Sequence, residues 1–136
     1  MAITIGNYVK IGGRVWNVRV IEIIESFNIM DTENAGRVIA EGKMTLDRIG
    51  TFWGHKITFA RDRASIDEYD ELFSYLAYPR NSGILVELVH QQSTLKYEAY
   101  VSTGERKLKK IETDTGTVLW DTFTANFIPM KAQVKP

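Results

Sequence analysis

From Val38 to Asp47 the chain alternates. Val38, Ala40, Gly42, Met44 and Leu46 fall on one side, and Glu41, Lys43, Thr45 and Asp47 fall on the other, with Ile39 the apolar exception. A repeat of two is the pattern of a half-buried β-strand, so the segment Arg37–Asp47 reads as strand and commits the chain to sheet. Two readings of it stay open. In the first, Gly36 is a turn residue, Gly42 a strand glycine, and Asp47 with Arg48 a surface charge pair. In the second, a long strand with one small-residue side suits pairing with a neighbouring subunit, since glycine inside a strand often marks close backbone approach. An exposed long strand is otherwise an aggregation liability. On the second reading Gly36, Arg37, Ala40, Gly42, Met44, Asp47 and Arg48 are candidates for a subunit interface.

The flanking sequence extends the sheet. An initial strand falls at Ile3–Ile5 or Tyr8–Ile11, with a turn at Gly12-Gly13 and a long strand from Arg14. Trp16, Val18 and Val20 share one side of it, whereas Ile21, Ile23, Phe27 and Ile29 share the other. One extra residue reverses every later side chain, so a bulge near Val20-Ile21 accounts for the flip. Residues 31–36 form a polar connection. A turn near Arg48–Thr51 leads to a strand Phe52–Arg61. One helix is signalled at about Ser65–Ala77. Ser65 and Glu68 have capping-box spacing, Asp67, Glu68, Asp70 and Glu71 load the positive end of the helix dipole, and Ile66, Tyr69, Leu72, Phe73 and Leu76 form one stripe. Pro79 stops it. Further strands follow at Ile84–His90, Thr94–Val101, Arg106–Glu112 and Thr117–Ile128, with Asp114-Thr115-Gly116 as a hairpin turn. The fold expected is α+β but mostly β: a β-sandwich or partly closed barrel with one packed helix and long hairpins.

Composition narrows the function. A chain of 136 residues is expected to form a single domain across residues 1–136. Seventeen basic residues balance seventeen acidic ones, which gives no basic footprint for nucleic acid. With no cysteine, disulfides and thiolate metal sites are excluded, and cytosolic synthesis fits. No apolar run approaches the roughly 20 residues of a membrane span, and the opening residues do not read as a secretion signal.

No arrangement of residues in the sequence announces chemistry. His55 and His90 each sit in an expected strand without a partner at ligand spacing, so both read as structural. The carboxylates of residues 67–71 are what helix capping and the dipole predict, more than an acid–base pair. Arg106-Lys107-Leu108-Lys109-Lys110 is a basic cluster that could touch phosphate, but flanking Glu105, Glu112 and Asp114 favour a solvated face or a subunit contact. Gly12-Gly13 lacks the strand–loop–helix setting of a phosphate cradle. Trp16, Trp53, Trp120, Tyr97 and Phe127 lie in separate strands and read as core more than as a sugar platform.

The chain resembles short tail proteins of phages and prophages of Gram-positive bacteria. The resemblance rests on Gly36-Arg37, the Gly42–Met44 step, Asp47-Arg48-Ile49, the strand–helix–strand middle, and the close at Trp120 and Asn126-Phe127-Ile128-Pro129-Met130, and it covers roughly Asp31 to Met130. It implies a tail component, either tube subunit or distal ring at the baseplate, with a β-sandwich core, one helix and a long hairpin. The implied action is self-assembly into a ring, six copies around the DNA channel. Its partners would be copies of itself and other tail proteins, with no more than non-specific proximity to DNA and no membrane. It implies a virion location, no catalytic residue, no metal and no cofactor. The alternative is a carbohydrate- or receptor-binding module at the tail tip; a small hydrolase comes third.

Overall fold

The computed structural model describes residues 9–31, 36–38, 43–45, 48–61 and 66–135. The strands are β1 (Val9–Ile11), β2 (Arg19–Asp31), β3 (Gly36–Val38), β4 (Lys43–Thr45), β5 (Arg48–Ala60), β6 (Ile84–His90), β7 (Ser93–Tyr100), β8 (Arg106–Glu112) and β9 (Thr117–Pro129), with one helix, α1 (Ile66–Ala77), between β5 and β6. Seven strands make one antiparallel sheet in the order β1-β6-β7-β9-β5-β2, with β8 also on β9, and β3 pairs with β4 in a separate ribbon. The sheet curls into a half-barrel, which fulfils the expected mostly-β class in its partly closed form.

The core follows from the alternation along each strand. Val9, Ile11, Val86, Leu88, Ile57, Phe59, Phe123, Ala125 and Phe127 turn inward and are buried. The helix lays Tyr69, Leu72 and Leu76 on them, with Phe73 at the margin. Phe123 is the meeting point. Its ring stacks on Phe59 at 5.0 Å and takes the edges of Tyr69 at 5.2 Å and Phe73 at 5.0 Å. Each such side chain removed from water contributes about 1.5–3 kcal/mol, so the stripe suffices to hold an isolated helix against the sheet. At the far side of the helix Arg14 bonds Glu68 at 2.9 Å and Glu71 at 3.1 Å and lies 3.8 Å from the Trp16 ring. The backbone N–H of Asn17, with Arg14, holds the Glu68 carboxyl below its ordinary range.

Three expectations are corrected. The strand expected from Arg14 starts at Arg19, because Trp16 turns in to donate its indole N–H to the Ile11 carbonyl at 2.9 Å. The turn expected near Arg48–Thr51 is strand. Arg48 pairs with Asp31 across a register shift, and Gly50, at φ 153°, makes room for the Val134 backbone. The strand Arg37–Asp47 is not continuous. Gly36↔Thr45, Arg37↔Met44 and Val38↔Lys43 pair antiparallel, so the chain reverses between Val38 and Lys43. The bulge expected near Val20-Ile21 is present: Val20 faces Phe59 and Glu22 faces Thr58, leaving Ile21 over.

Candidate assembly surface and a buried histidine cluster

Thirteen residues each of β2 and β5 make the longest ribbon of the chain. β9 holds β5 only across His55–Phe59. Beyond that point β2 from Ser26 to Asp31 and β5 from Arg48 to Gly54 run on as an arm of roughly 20 Å, taking 3.4 Å per residue. The far edge of β5 there is covered by the C-terminal segment. Thr51 exchanges backbone bonds with Gln133 and Val134, and the Gln133 side chain bonds both the N–H and the carbonyl of Trp53 at 2.9 Å. The arm carries the exposed apolar side chains Phe27, Ile29, Met30 and Ile49, with Ile21 and Ile24 also exposed on β2 before it; Phe27 is 61% exposed and lies tilted against Trp53 at 5.4 Å. Beyond the bulge the sequence continues to supply apolar residues on both faces, yet no second layer of the described chain covers them. Among the described residues, the outer edges of β2 and β8 have no strand partner.

Of the seven interface candidates, Gly36, Arg37 and Met44 fall in the β3–β4 ribbon, in the chain between the two arm strands, and Arg48 opens the arm's β5 strand. Ala40, Gly42 and Asp47 lie outside the described residues, as does Ser65 of the capping box. The basic cluster is split. Arg106 turns inward to Asp70 at 2.7 Å and lies 4.4 Å and 4.3 Å from the Phe73 and Trp120 rings, whereas Lys107, Lys109 and Lys110 face solvent. Glu68 and Glu71 both meet the Arg14 guanidinium and Asp70 meets Arg106, so these three helix carboxylates are engaged in ion pairs. A cleft of about 610 Å³ opens beside the helix C-terminus, floored by Phe73, Leu76 and Phe123 and bordered by Tyr78, Arg80 and Tyr100.

The two histidines, which carry no partner signal in the sequence, meet. His55 stands opposite Glu25 in the β2–β5 register. The curl of the sheet brings the end of β6 over them. One Glu25 carboxylate oxygen lies 3.0 Å from His55 Nε2 and 2.6 Å from His90 Nδ1. His55 Nε2 also faces the Val89 carbonyl at 2.9 Å, and its Nδ1 lies 2.8 Å from the Tyr97 hydroxyl. Both atoms at Nε2 are acceptors, so the proton sits on Nε2 and Nδ1 accepts from Tyr97. Burial holds the His55 pKa below its ordinary value against the pull of Glu25, and burial pushes the Tyr97 phenol upward. His55 has no exposed surface, and both its nitrogens are engaged. It offers neither a free lone pair nor access to a substrate. The sequence signal for Glu25 is present only once the strand register is known.

The chain is similar to two curated proteins, both described as uncharacterized. A protein of Rickettsia conorii is 30% identical over 98 residues, 72% of this chain and 20% of its own length. A protein of Rickettsia prowazekii is 30% identical over 100 residues, 74% of this chain and 20% of its own length. The match thus spans about a fifth of each relative. No family model matches, and no solved structure matches. No helix among the described residues is long and apolar enough to cross a membrane.

Proposed function

We propose that this protein is a non-catalytic structural component of a phage or prophage tail, of the tube or distal-ring type, that acts by self-assembly into a ring around the DNA channel. The carrying observation is the arm, a long ribbon with apolar side chains on both faces and a free outer edge on β2. A contiguous apolar surface of this kind marks an interaction site. An unpaired edge is a template for another strand. The two free edges differ: the β2 edge belongs to the arm, while β8 carries Lys107, Lys109 and Lys110 and meets the helix through Arg106 and Asp70, and the ring reading joins one edge to the other. Contact between two different patches is heterologous and gives a ring when the rotation closes. The Gly36 motif, in the ribbon between the arm strands, and Arg48, at the start of one of them, support that reading.

Negative-stain imaging of the purified protein over a concentration series tests it. Closed rings with a central channel, six copies each, are expected. Open filaments or unassociated particles at every concentration would contradict it. The cleft supports a second reading, a carbohydrate- or receptor-binding module at the tail tip, because Tyr78 and Tyr100 are exposed at its border. Saturable glycan binding abolished by Tyr100→Ala, without rings, would favour that module.

A further inference from the structure

The Glu25–His55–His90–Tyr97 cluster sits at one mechanical point of the fold. In the sheet order β6 and β2 are separated by three strands, yet His90 at the end of β6 reaches Glu25 on β2. The contact closes the curl where the arm leaves the body. His90 also sets its ring against Trp53 of the arm at 4.9 Å, and Trp53 touches Phe27. From the inside Tyr97 on β7 stacks on His55 at 5.8 Å and hydrogen-bonds it. β9 contributes only the Phe127 carbonyl, 3.5 Å from the Tyr97 hydroxyl. The titratable groups meeting at His55 are therefore Glu25, His90 and Tyr97.

We propose that these four side chains form a proton-operated latch that clamps the β6–β7 turn onto the base of the arm at neutral pH and releases it on acidification. The inference is independent of ring formation. Neutral His55 completes the network, donating from Nε2 and accepting at Nδ1. A proton added at Nδ1 turns that nitrogen from acceptor to donor, so the Tyr97 hydroxyl loses its 2.8 Å partner and is left only the longer contact to the Phe127 carbonyl at 3.5 Å. It also places a charge where no water reaches, with one carboxylate shared between two imidazoles. Opening the latch hydrates the imidazolium, and the freed histidine takes up its proton near the ordinary value of about 6.5. The sign follows. The closed form binds fewer protons than the open one below that pH, so acid drives opening. The loosened element would be the arm with its apolar faces, not the helix-packed core around Phe123.

The test is a pH titration of the full chain labelled with 5-fluorotryptophan, in which the Trp53 resonance reports the latch, Trp120 the body, and far-ultraviolet circular dichroism the global fold. The Trp53 resonance should move as pH falls below about 6.5, before Trp120 and before the dichroism changes. Tyr97→Phe removes the hydroxyl at Nδ1 and should shift that transition to higher pH. His55→Gln should abolish the early Trp53 transition, leaving only the change at global unfolding. Trp53 and Trp120 moving together at global unfolding would overturn the proposal. So would a transition unmoved by Tyr97→Phe, a variant that decides the matter even where His55→Gln fails to fold. Stoichiometric zinc bound by His55 and His90 in the purified protein would replace the latch with a metal site and overturn it as well.

Discussion

At the level of single residues, His55 and Gly12 have the sharpest consequences. Burial keeps the folded-state pKa of His55 below its unfolded value. Stability attached to it is therefore complete above about pH 6.5 and declines as pH falls from there toward the lowered folded value, where the loss levels off. Urea midpoints across pH 5–8 should show this decline in the wild type and a flatter profile in a folded His55→Gln variant. An equal slope in both would assign the acid sensitivity to other groups. Gly12 has φ 67°, and a Cβ there would run into the Tyr75 side chain. Gly12→Ala combines left-handed strain with that collision and should cost about 1–3 kcal/mol in chemical denaturation. Gly12 was legible in the sequence as a turn residue. The partners of His55 were not. Glu25 lies thirty positions away and His90 thirty-five, and only strand register and sheet curl bring them to one point.

At the level of elements, period and punctuation resolved most of the chain. The helix, the bulge at Ile21 and strands β6 to β9 follow from stripe, alternation and turn residues, and each agrees with the fold. The segment from Arg37 to Asp47 did not. Its alternation is intact, but a chain reversal inside it keeps a period-2 pattern in both arms of a hairpin, so periodicity alone cannot separate one strand from two. Helix packing can be graded by residue. Leu72 is fully buried, so Leu72→Ala should cost about 2–5 kcal/mol. Phe73 is only partly buried beside the cleft, and Phe73→Ala should cost less than Leu72→Ala. The reverse order in thermal or urea unfolding would show that the stripe sits differently on the sheet. Gln133 fastens the C-terminal segment to the arm through both backbone groups of Trp53. Gln133→Ala should speed amide exchange at Thr51 and Trp53 while leaving the Phe123 region protected. Unchanged exchange at Thr51 would mean that the backbone bonds to Val134 hold the segment without it.

As a whole, the described molecule divides into a packed body and an arm with uncovered apolar side chains. The body buries one continuous core between sheet and helix. The arm leaves Phe27, Ile29 and Met30 in solvent beside a free edge, with Ile24 exposed at its base. The sequence showed the apolar side of β2 changing near Val20-Ile21, but not that Ile24 and Met30 leave the other face apolar as well. That no described element covers them was not legible either, because it depends on where β9 stops pairing with β5. The most direct measurement is sedimentation velocity on the wild type and on the double variant Phe27→Glu/Ile29→Glu, across a hundredfold concentration range. The wild type should shift with concentration to one discrete larger species, six copies in mass. The variant should stay monomeric while keeping the wild-type circular dichroism. A wild type that remains monomeric throughout, or a variant that assembles as the wild type does, would contradict assembly through the arm.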